Sequence, residues 1–204
     1  MNDLEGAVRD AAAGLPAEPP DATLRDLADR AAAEGLLDVA YARVDSPLGP
    51  LIVAATPRGL VRVAYAGSWP EEEILGKLAA SVSPRVLEAP ARLDEPRREL
   101  DQYFAGRRTS FELPIDWSYL RGFTRQVLRE TARIGFGELR TYAAVASGAG
   151  SPRAVRAAGN ALGANPMPIV VPCHRVVRTG GAMGGYTGGV ERKEFLLRLE
   201  GVRR

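Results

Sequence analysis

The sequence predicts a mixed α/β (α+β) protein, with a small sheet-and-helix layer followed by a mostly helical half. Three observations lead there. Apolar residues alternate with period two between Val39 and Tyr65, then recur with a helical period beyond Trp117. The formal charge of +2 hides a net of −6 over residues 1–40, −1 over 41–117 and +9 over 118–204. The single cysteine and the single histidine stand side by side as Cys173 and His174. Apolar residues make up 46% and charged residues 25%, as in ordinary soluble globular proteins. No run reaches the roughly 18 apolar residues needed to cross a bilayer, so no membrane association is expected. The acidic start lacks the order of an export signal, and one cysteine permits neither an internal disulfide nor a thiolate zinc cluster. A cytoplasmic protein without metal or cofactor is the expectation.

Taken in order, Leu4, Val8 and Ala11 or Ala12 share one face of a short helix that Gly14-Leu15-Pro16 stops, and Pro16 to Pro20 reads as a linker. Thr23 is placed to cap a second helix carrying Leu24, Leu27, Ala28 and Ala31 and ending at Gly35. Residues 1–38 thus form an acidic helical leader of unknown role. Val39 to Val44, Leu51 to Ala55 and Leu60 to Tyr65 alternate and are separated by turn chemistry at 46–50 and 57–59, which predicts a three-strand antiparallel meander. Glu71 to Ala80 and Pro96 to Ala105 read as helices, and Thr109 to Leu113 as a further strand. This α+β unit spans 39–117.

Residues 118–204 form the second unit. Phe123, Val127, Leu128 and Thr131 share a helical face, and Thr141 to Ser147 makes a short helix. After the tight turn Gly148 to Pro152, with Ser151 as cap and Pro152 at the first helical position, Arg153 to Leu162 forms another helix. Helix, glycine turn, helix is the outline of a helix-turn-helix, and Arg153 and Arg156 lie on one face of its second helix. An αα-hairpin with solvated arginines has the same outline, but the charge of +9 favours a polyanionic partner.

The apolar run Ile169-Val170-Val171 delivers Pro172-Cys173-His174-Arg175 to its end. A free thiol is only a few per cent ionised at neutral pH, so a nucleophilic cysteine needs a base or positive surroundings. His174 and Arg175 supply both types, although adjacent side chains diverge on an extended strand and a bridging water or a turn is then required. Glu200, at the end of the helix from Val190, is disfavoured by the helix dipole unless a cation pairs with it, which makes it a plausible orienter of His174. The stretch Gly180 to Gly189 holds six glycines, with Tyr186 and Thr187 as its polar side chains, and reads as a loop passing close to a ligand.

Residues 121–201 resemble the catalytic domain of the O6-alkylguanine-DNA alkyltransferases, or methylated-DNA–protein-cysteine methyltransferases. The strings that carry the resemblance are Thr141-Tyr142, Arg153 to Ala161, Asn165-Pro166, Pro172-Cys173-His174-Arg175-Val176, Gly185 to Gly189, Lys193, Leu196-Leu197 and Glu200-Gly201. Residues 39–117 look like the family's ribonuclease-H-like N-terminal domain, and the C-terminal half like its helix-turn-helix (winged-helix-like) domain. Ala158, Gly135 and Thr124 depart from the residues usual at their positions, without removing a reactive group.

The resemblance implies direct-reversal repair: irreversible, single-turnover transfer of the alkyl group of O6-alkylguanine, or O4-alkylthymine, to Cys173, after the base is flipped from the minor groove of double-stranded DNA. It implies that His174 activates Cys173 through a water, that Glu200 backs His174, that Asn165 braces the cysteine turn, and that Tyr142 donates to the guanine. Arg156 would enter the vacated stack, with Arg153, Tyr142, Arg175 and Thr141 as further DNA contacts. Val176, Tyr186 and Thr187 would line the base pocket, and Pro168, Met183 and Gly184 would limit the alkyl group. A monomer with no obligate protein partner is expected. Alternatives are a lesion-binding relative that does not react, which would lack the cysteine, a helix-turn-helix regulator, and a thiol hydrolase.

Overall fold

The computed structural model describes residues 21–202. The helix expected around Leu4 and Val8 and the linker at Pro16 to Pro20 lie outside these residues, as does the Thr23 side chain. The first described helix, α1, spans Asp21–Ala33. It ends as expected at Gly35, whose φ of +67° suits a residue without Cβ. There the Leu36 N–H donates to the Ala31 carbonyl at 2.7 Å and the Gly35 N–H to that of Ala32 at 3.1 Å, a Schellman closure.

The meander forms as the alternation predicts: β1 (Val39–Val44), β2 (Leu51–Thr56) and β3 (Gly59–Tyr65) are antiparallel neighbours. A register shift at Ala54/Ala55 leaves Val61 as the extra residue of a bulge. A fourth strand, β4 (Val86–Glu88), joins β1 in parallel and gives the order β3-β2-β1-β4. Helix α2 (Glu71–Ser81) covers one face, burying Ile74 and Leu78, with Leu78 packed among Val39, Ala54 and Val61. Helix α3 (Asp94–Phe104) lies on the other face and buries Leu100 and Tyr103.

The strand expected at Thr109 to Leu113 does not form. Arg108 and the buried Glu99 hold that segment as a loop, through Arg108 to the Ser110 carbonyl (2.9 Å) and the Glu112 N–H to the Glu99 carboxylate (2.9 Å). Backbone pairing comes just beyond it, where the Leu60 N–H donates to the Pro114 carbonyl (2.8 Å) and the Asp116 N–H to that of Leu60 (3.1 Å). Gly59 makes this possible, because a Cβ there would stand 2.3 Å from the Pro114 oxygen.

In the helical half, α4 (Gly122–Thr131) packs on α5 (Tyr142–Gly148) and α6 (Val155–Gly163), the pair that forms the helix-turn-helix. Thr141 caps α5, accepting the Ala144 N–H at 3.1 Å. The expected cap by Ser151 is absent: its carbonyl closes a turn on the Ala154 N–H (2.9 Å), and the helix begins at Val155 with Ala154 as its N-cap. Arg153 therefore stands in the turn before α6, and only Arg156 is on the helix. Two short strands, β5 (Arg140–Thr141) and β6 (Val176–Val177), pair in parallel, and α7 (Val190–Leu199) buries Lys193, Leu196 and Leu197. One apolar cluster runs from Val53, Val63 and Leu100 to Val127, Val145, Ile169 and Leu196, so the two halves share a core. Among the described residues no helix is long and apolar enough to cross a membrane.

Candidate active site

The chain leaving α6 is fastened before it reaches the cysteine. Asn165 is buried; its Nδ2 donates to the Val171 carbonyl (2.8 Å) and to Cys173 Sγ (3.2 Å), and its Oδ1 accepts the Met167 N–H (3.0 Å). Between these bonds Ile169 is fully buried with φ +77°, a left-handed conformation that a β-branched residue adopts at a cost of roughly 1–2 kcal/mol. The meander also holds this segment, through the Val63 N–H to the Pro166 carbonyl at 2.9 Å.

Cys173–Arg175 form a 3-10 turn rather than the end of an extended strand. Successive side chains on such a turn are about 120° apart, so the opposite directions expected of a strand do not apply. Cys173 is 6% exposed and its sulfur lines a cleft, while His174 is fully buried behind it. The cleft, about 760 Å³, lies between Tyr142 and Ala143 of α5, Val155, Gly159 and Leu162 of α6, and the loop from Arg178 to Thr187.

Behind the cysteine, Glu200 gathers five donors. Its Oε1 accepts from His174 Nε2 (2.8 Å), Arg175 Nη2 (2.8 Å) and the Tyr103 hydroxyl (2.7 Å). Its Oε2 accepts from Arg175 Nε (2.9 Å) and the Gly137 N–H (3.2 Å). Burial pushes this carboxyl up, but the hydrogen bonds from His174 and Arg175 outweigh it and hold the group at about 2. An ionised carboxylate only accepts, so His174 presents its Nε2–H to Glu200 and keeps Nδ1 as an acceptor. Nδ1 is buried and meets no hydrogen-bond partner among the described residues. Burial also holds the imidazole below its ordinary range despite the opposing pull of Glu200, so it is neutral and can take a proton.

The thiol itself is not ionised in this state. Burial pushes it up to about 11, against the hydrogen bond from Asn165 and the charge of Lys193, whose Nζ donates to the Val176 carbonyl at 2.6 Å.

Two tyrosines frame the cleft. Tyr142 is half-buried, and its phenol is raised by burial and by the nearby sulfur, which leaves it a donor at neutral pH. Gly184 makes room for its ring, since a Cβ there would collide with the phenol oxygen. The Tyr186 hydroxyl meets that of Tyr65 at 2.8 Å, and Arg192 lies over the Tyr65 ring at 4.4 Å while donating to the Gly188 carbonyl at 2.8 Å. The meander thus props the glycine loop. Thr187 ties that loop to α6 through the Gly163 carbonyl at 2.6 Å.

Of the expected site residues, Cys173, His174, Glu200 and Asn165 come together, and Tyr142, Tyr186, Thr187 and Gly184 line the cleft. Arg153 and Arg156 are exposed, and among the described residues neither is in an ion pair. Thr141 is half-buried and caps α5.

Three expectations are corrected. Arg175 is 6% exposed and spends its guanidinium on Glu200 and the Ile134 carbonyl, so it is an interior counter-charge and not a DNA contact. Pro168 lines a separate small crevice beside Trp69 and Lys77, and Met183 lies off the cleft wall. Val176 is fully buried behind the sulfur, its carbonyl already accepting from Lys193 and that of Cys173 from the Val176 N–H. Tyr103, Tyr65, Arg192 and Arg178, which the sequence did not single out, complete the surroundings.

Comparison with known proteins identifies the family. The family profile for 6-O-methylguanine DNA methyltransferase, DNA binding domain, matches residues 122–202, and that for its ribonuclease-like domain matches residues 39–117. The methylated-DNA–protein-cysteine methyltransferase of Methanosarcina acetivorans is 37% identical over 161 residues, which cover 79% of this chain and 97% of that protein. The crystal structure of the Mycobacterium tuberculosis O6-methylguanine methyltransferase superposes with a TM-score of 0.68 at 36% identity, covering 81% of this chain and 94% of that one. The same organism's OGT in complex with DNA gives 0.66 at 36% identity, over 79% and 92% of the two chains. With both profiles matched in order and relatives this similar over nearly their whole length, this chain belongs to the methylated-DNA–protein-cysteine methyltransferase family.

Proposed function

We propose that this protein binds double-stranded DNA and takes the alkyl group of an O6-alkylated guanine onto Cys173, acting as a monomer and once per molecule. The observation that carries the reading is one arrangement: a lone thiol at the wall of a cleft roomy enough for a base, with a neutral imidazole and an anionic carboxylate behind it. An alkyl group on guanine O6 lies inside the duplex, so the nucleotide must leave the stack to reach a sulfur that is 6% exposed. Flipping costs a few kcal/mol, least where pairing is already weakened, which favours damaged bases. Its exposure near the start of α6 supports Arg156 as the residue that enters the gap, with Arg153 and Thr141 as flanking backbone contacts.

In the reaction the thiol proton passes through a bridging solvent molecule to His174 Nδ1, and the imidazolium is stabilised by Glu200. Sulfur then forms its bond to the alkyl carbon while the O6–carbon bond breaks, and the guanine gains a proton from the Tyr142 phenol. The proton held by His174 then passes through solvent to the Tyr142 phenolate and restores both groups, so the net exchange is the thiol proton for the alkyl group. A thioether has no proton to lose and no leaving group to expel, hence the single turnover. The retained cysteine speaks against the non-reacting lesion binder, and the match to a repair family against a sequence-selective regulator. We assign the acceptor and DNA-binding work to 118–204 and a supporting role to 39–117.

The test is intact mass after incubation with duplex DNA containing O6-methylguanine. A gain of one methyl group per chain, confined to the peptide holding Cys173, is expected. An unchanged mass, or many lesions removed per protein molecule, refutes it.

A further inference from the structure

The Glu200 carboxylate has a partner from outside its own half of the molecule. Tyr103 belongs to α3, which packs on the meander, and its side chain is fully buried among Phe104, Phe111 and Phe136, with ring centroids 5.5, 5.2 and 6.2 Å away. Its hydroxyl donates at 2.7 Å to Glu200 Oε1, the same oxygen that accepts from His174 Nε2 at 2.8 Å. From this shared oxygen we infer that Tyr103 is a positioning residue for the proton relay, holding the Glu200 carboxylate and setting how strongly it pulls on His174. The inference rests on reading Cys173, His174 and Glu200 as that relay.

Besides Glu200 the hydroxyl faces Arg175, itself a partner of the same carboxylate. Packing among three aromatic rings asks for a ring, and phenylalanine would supply it. Charge neutralisation is already given by Arg175, which meets both carboxylate oxygens at 2.8 and 2.9 Å. What the hydroxyl changes is the share of Oε1 left for the imidazole. Burial and the negative charge of Glu200 keep the phenol protonated, so it is a constant donor. A hydrogen bond to the ionised form stabilises it and makes the carboxylate a weaker base toward its other donors. Removing the hydroxyl leaves Oε1 freer to accept from His174, which stabilises the imidazolium and raises the histidine.

The surroundings that set this balance come from several elements. Arg175 faces Glu200 from the cysteine turn, Lys193 of α7 acts on His174 by its charge, and the Gly137 N–H reaches Oε2 from the loop before β5. Phe136 lies beside both Tyr103 and Arg175 and adds no charge. No second carboxylate takes part in this group among the described residues.

His174 is the only histidine in the sequence, so nitrogen-15 labelled histidine gives one imidazole to observe. In Tyr103→Phe, the Nε2–H resonance of the free protein should move downfield, and the acid limb of the single-turnover transfer rate should move to higher pH by about 0.5–1 unit. Thermal melting reports packing separately. A lowered melting temperature with the imidazole resonance and the acid limb both unmoved would mean that Tyr103 is only structural, and would overturn the inference. If instead the unsubstituted protein transfers the alkyl group with no acid limb, the relay itself is wrong and the inference falls with it.

Discussion

Replacing Glu200 by glutamine tests the centre of the site most directly. The carboxylate sits at about 2 in the folded protein against an ordinary 4.5, a gap worth about 3 kcal/mol at neutral pH. Breaking a buried ion pair from one side costs a similar roughly 3–5 kcal/mol, because Arg175 would keep an interior charge without its partner. Glutamine also turns an NH2 group toward donors: whichever oxygen it replaces, Arg175 and either His174 with Tyr103 or the Gly137 N–H would face a second donor. The sign with pH follows from the depressed value. The charge contribution is complete above about pH 4.5 and is lost as pH falls toward 2, so that at pH 3 about 1.5 kcal/mol of it remains. Urea and thermal unfolding of both proteins at pH 7 and pH 3 measure this. The stability gap at pH 7 should be about 3 kcal/mol or more, lowering the midpoint temperature by roughly 6–12 °C for a chain of this size, and should shrink by about 2 kcal/mol at pH 3. A gap that is the same at both values would show that the carboxylate is not held ionised by these partners.

Two further outcomes follow from the cleft and its rim. With its thiol at about 11, Cys173 should react with iodoacetamide at pH 7.5 about a hundredfold more slowly than a small thiol and accelerate through pH 10, and a rate already level below pH 8 would show a resting thiolate. Arg156→Ala should slow transfer from duplex DNA much more than reaction with a free O6-alkylated base, and should flatten the salt dependence of DNA binding by about 0.9 in log–log slope; equal losses on both substrates would remove its place in the stack.

The candidate centre is legible because its parts are rare or local. A single cysteine beside a single histidine cannot be diluted by chance neighbours, and Glu200 announces itself as an acid at the wrong end of a helix. The meander was equally open, since alternation and turn residues are short-range signals. What escaped reading depends on distant partners. Tyr103 meets Glu200 97 residues on, and Tyr65 meets Tyr186 after 121; nothing periodic marks either pairing. The resemblance implies a DNA contact at Arg175, yet its surroundings are fixed by a carboxylate 25 residues later, which no local pattern marks. Strand β4 has three half-buried residues and no alternation to display, while 109–113 alternates but is held off the β3 edge as a loop by Arg108 and Glu99, and the chain meets that edge only at Ile115. Ser151 looked like a cap because its side chain suits one, but the backbone turned through its carbonyl first.

Asn165 and Ile169 together carry a consequence for the molecule after it has reacted. The asparagine clasps both ends of a loop wound the wrong way for an isoleucine, and one finger of that clasp rests on sulfur at 3.2 Å. Once that sulfur bears a carbon, it offers a poorer and bulkier resting place, and in so closed a spot the amide has little else to grip. A molecule alkylated as proposed above would then differ from a fresh one as a sprung latch differs from a set one, its wound segment retained by fewer fastenings.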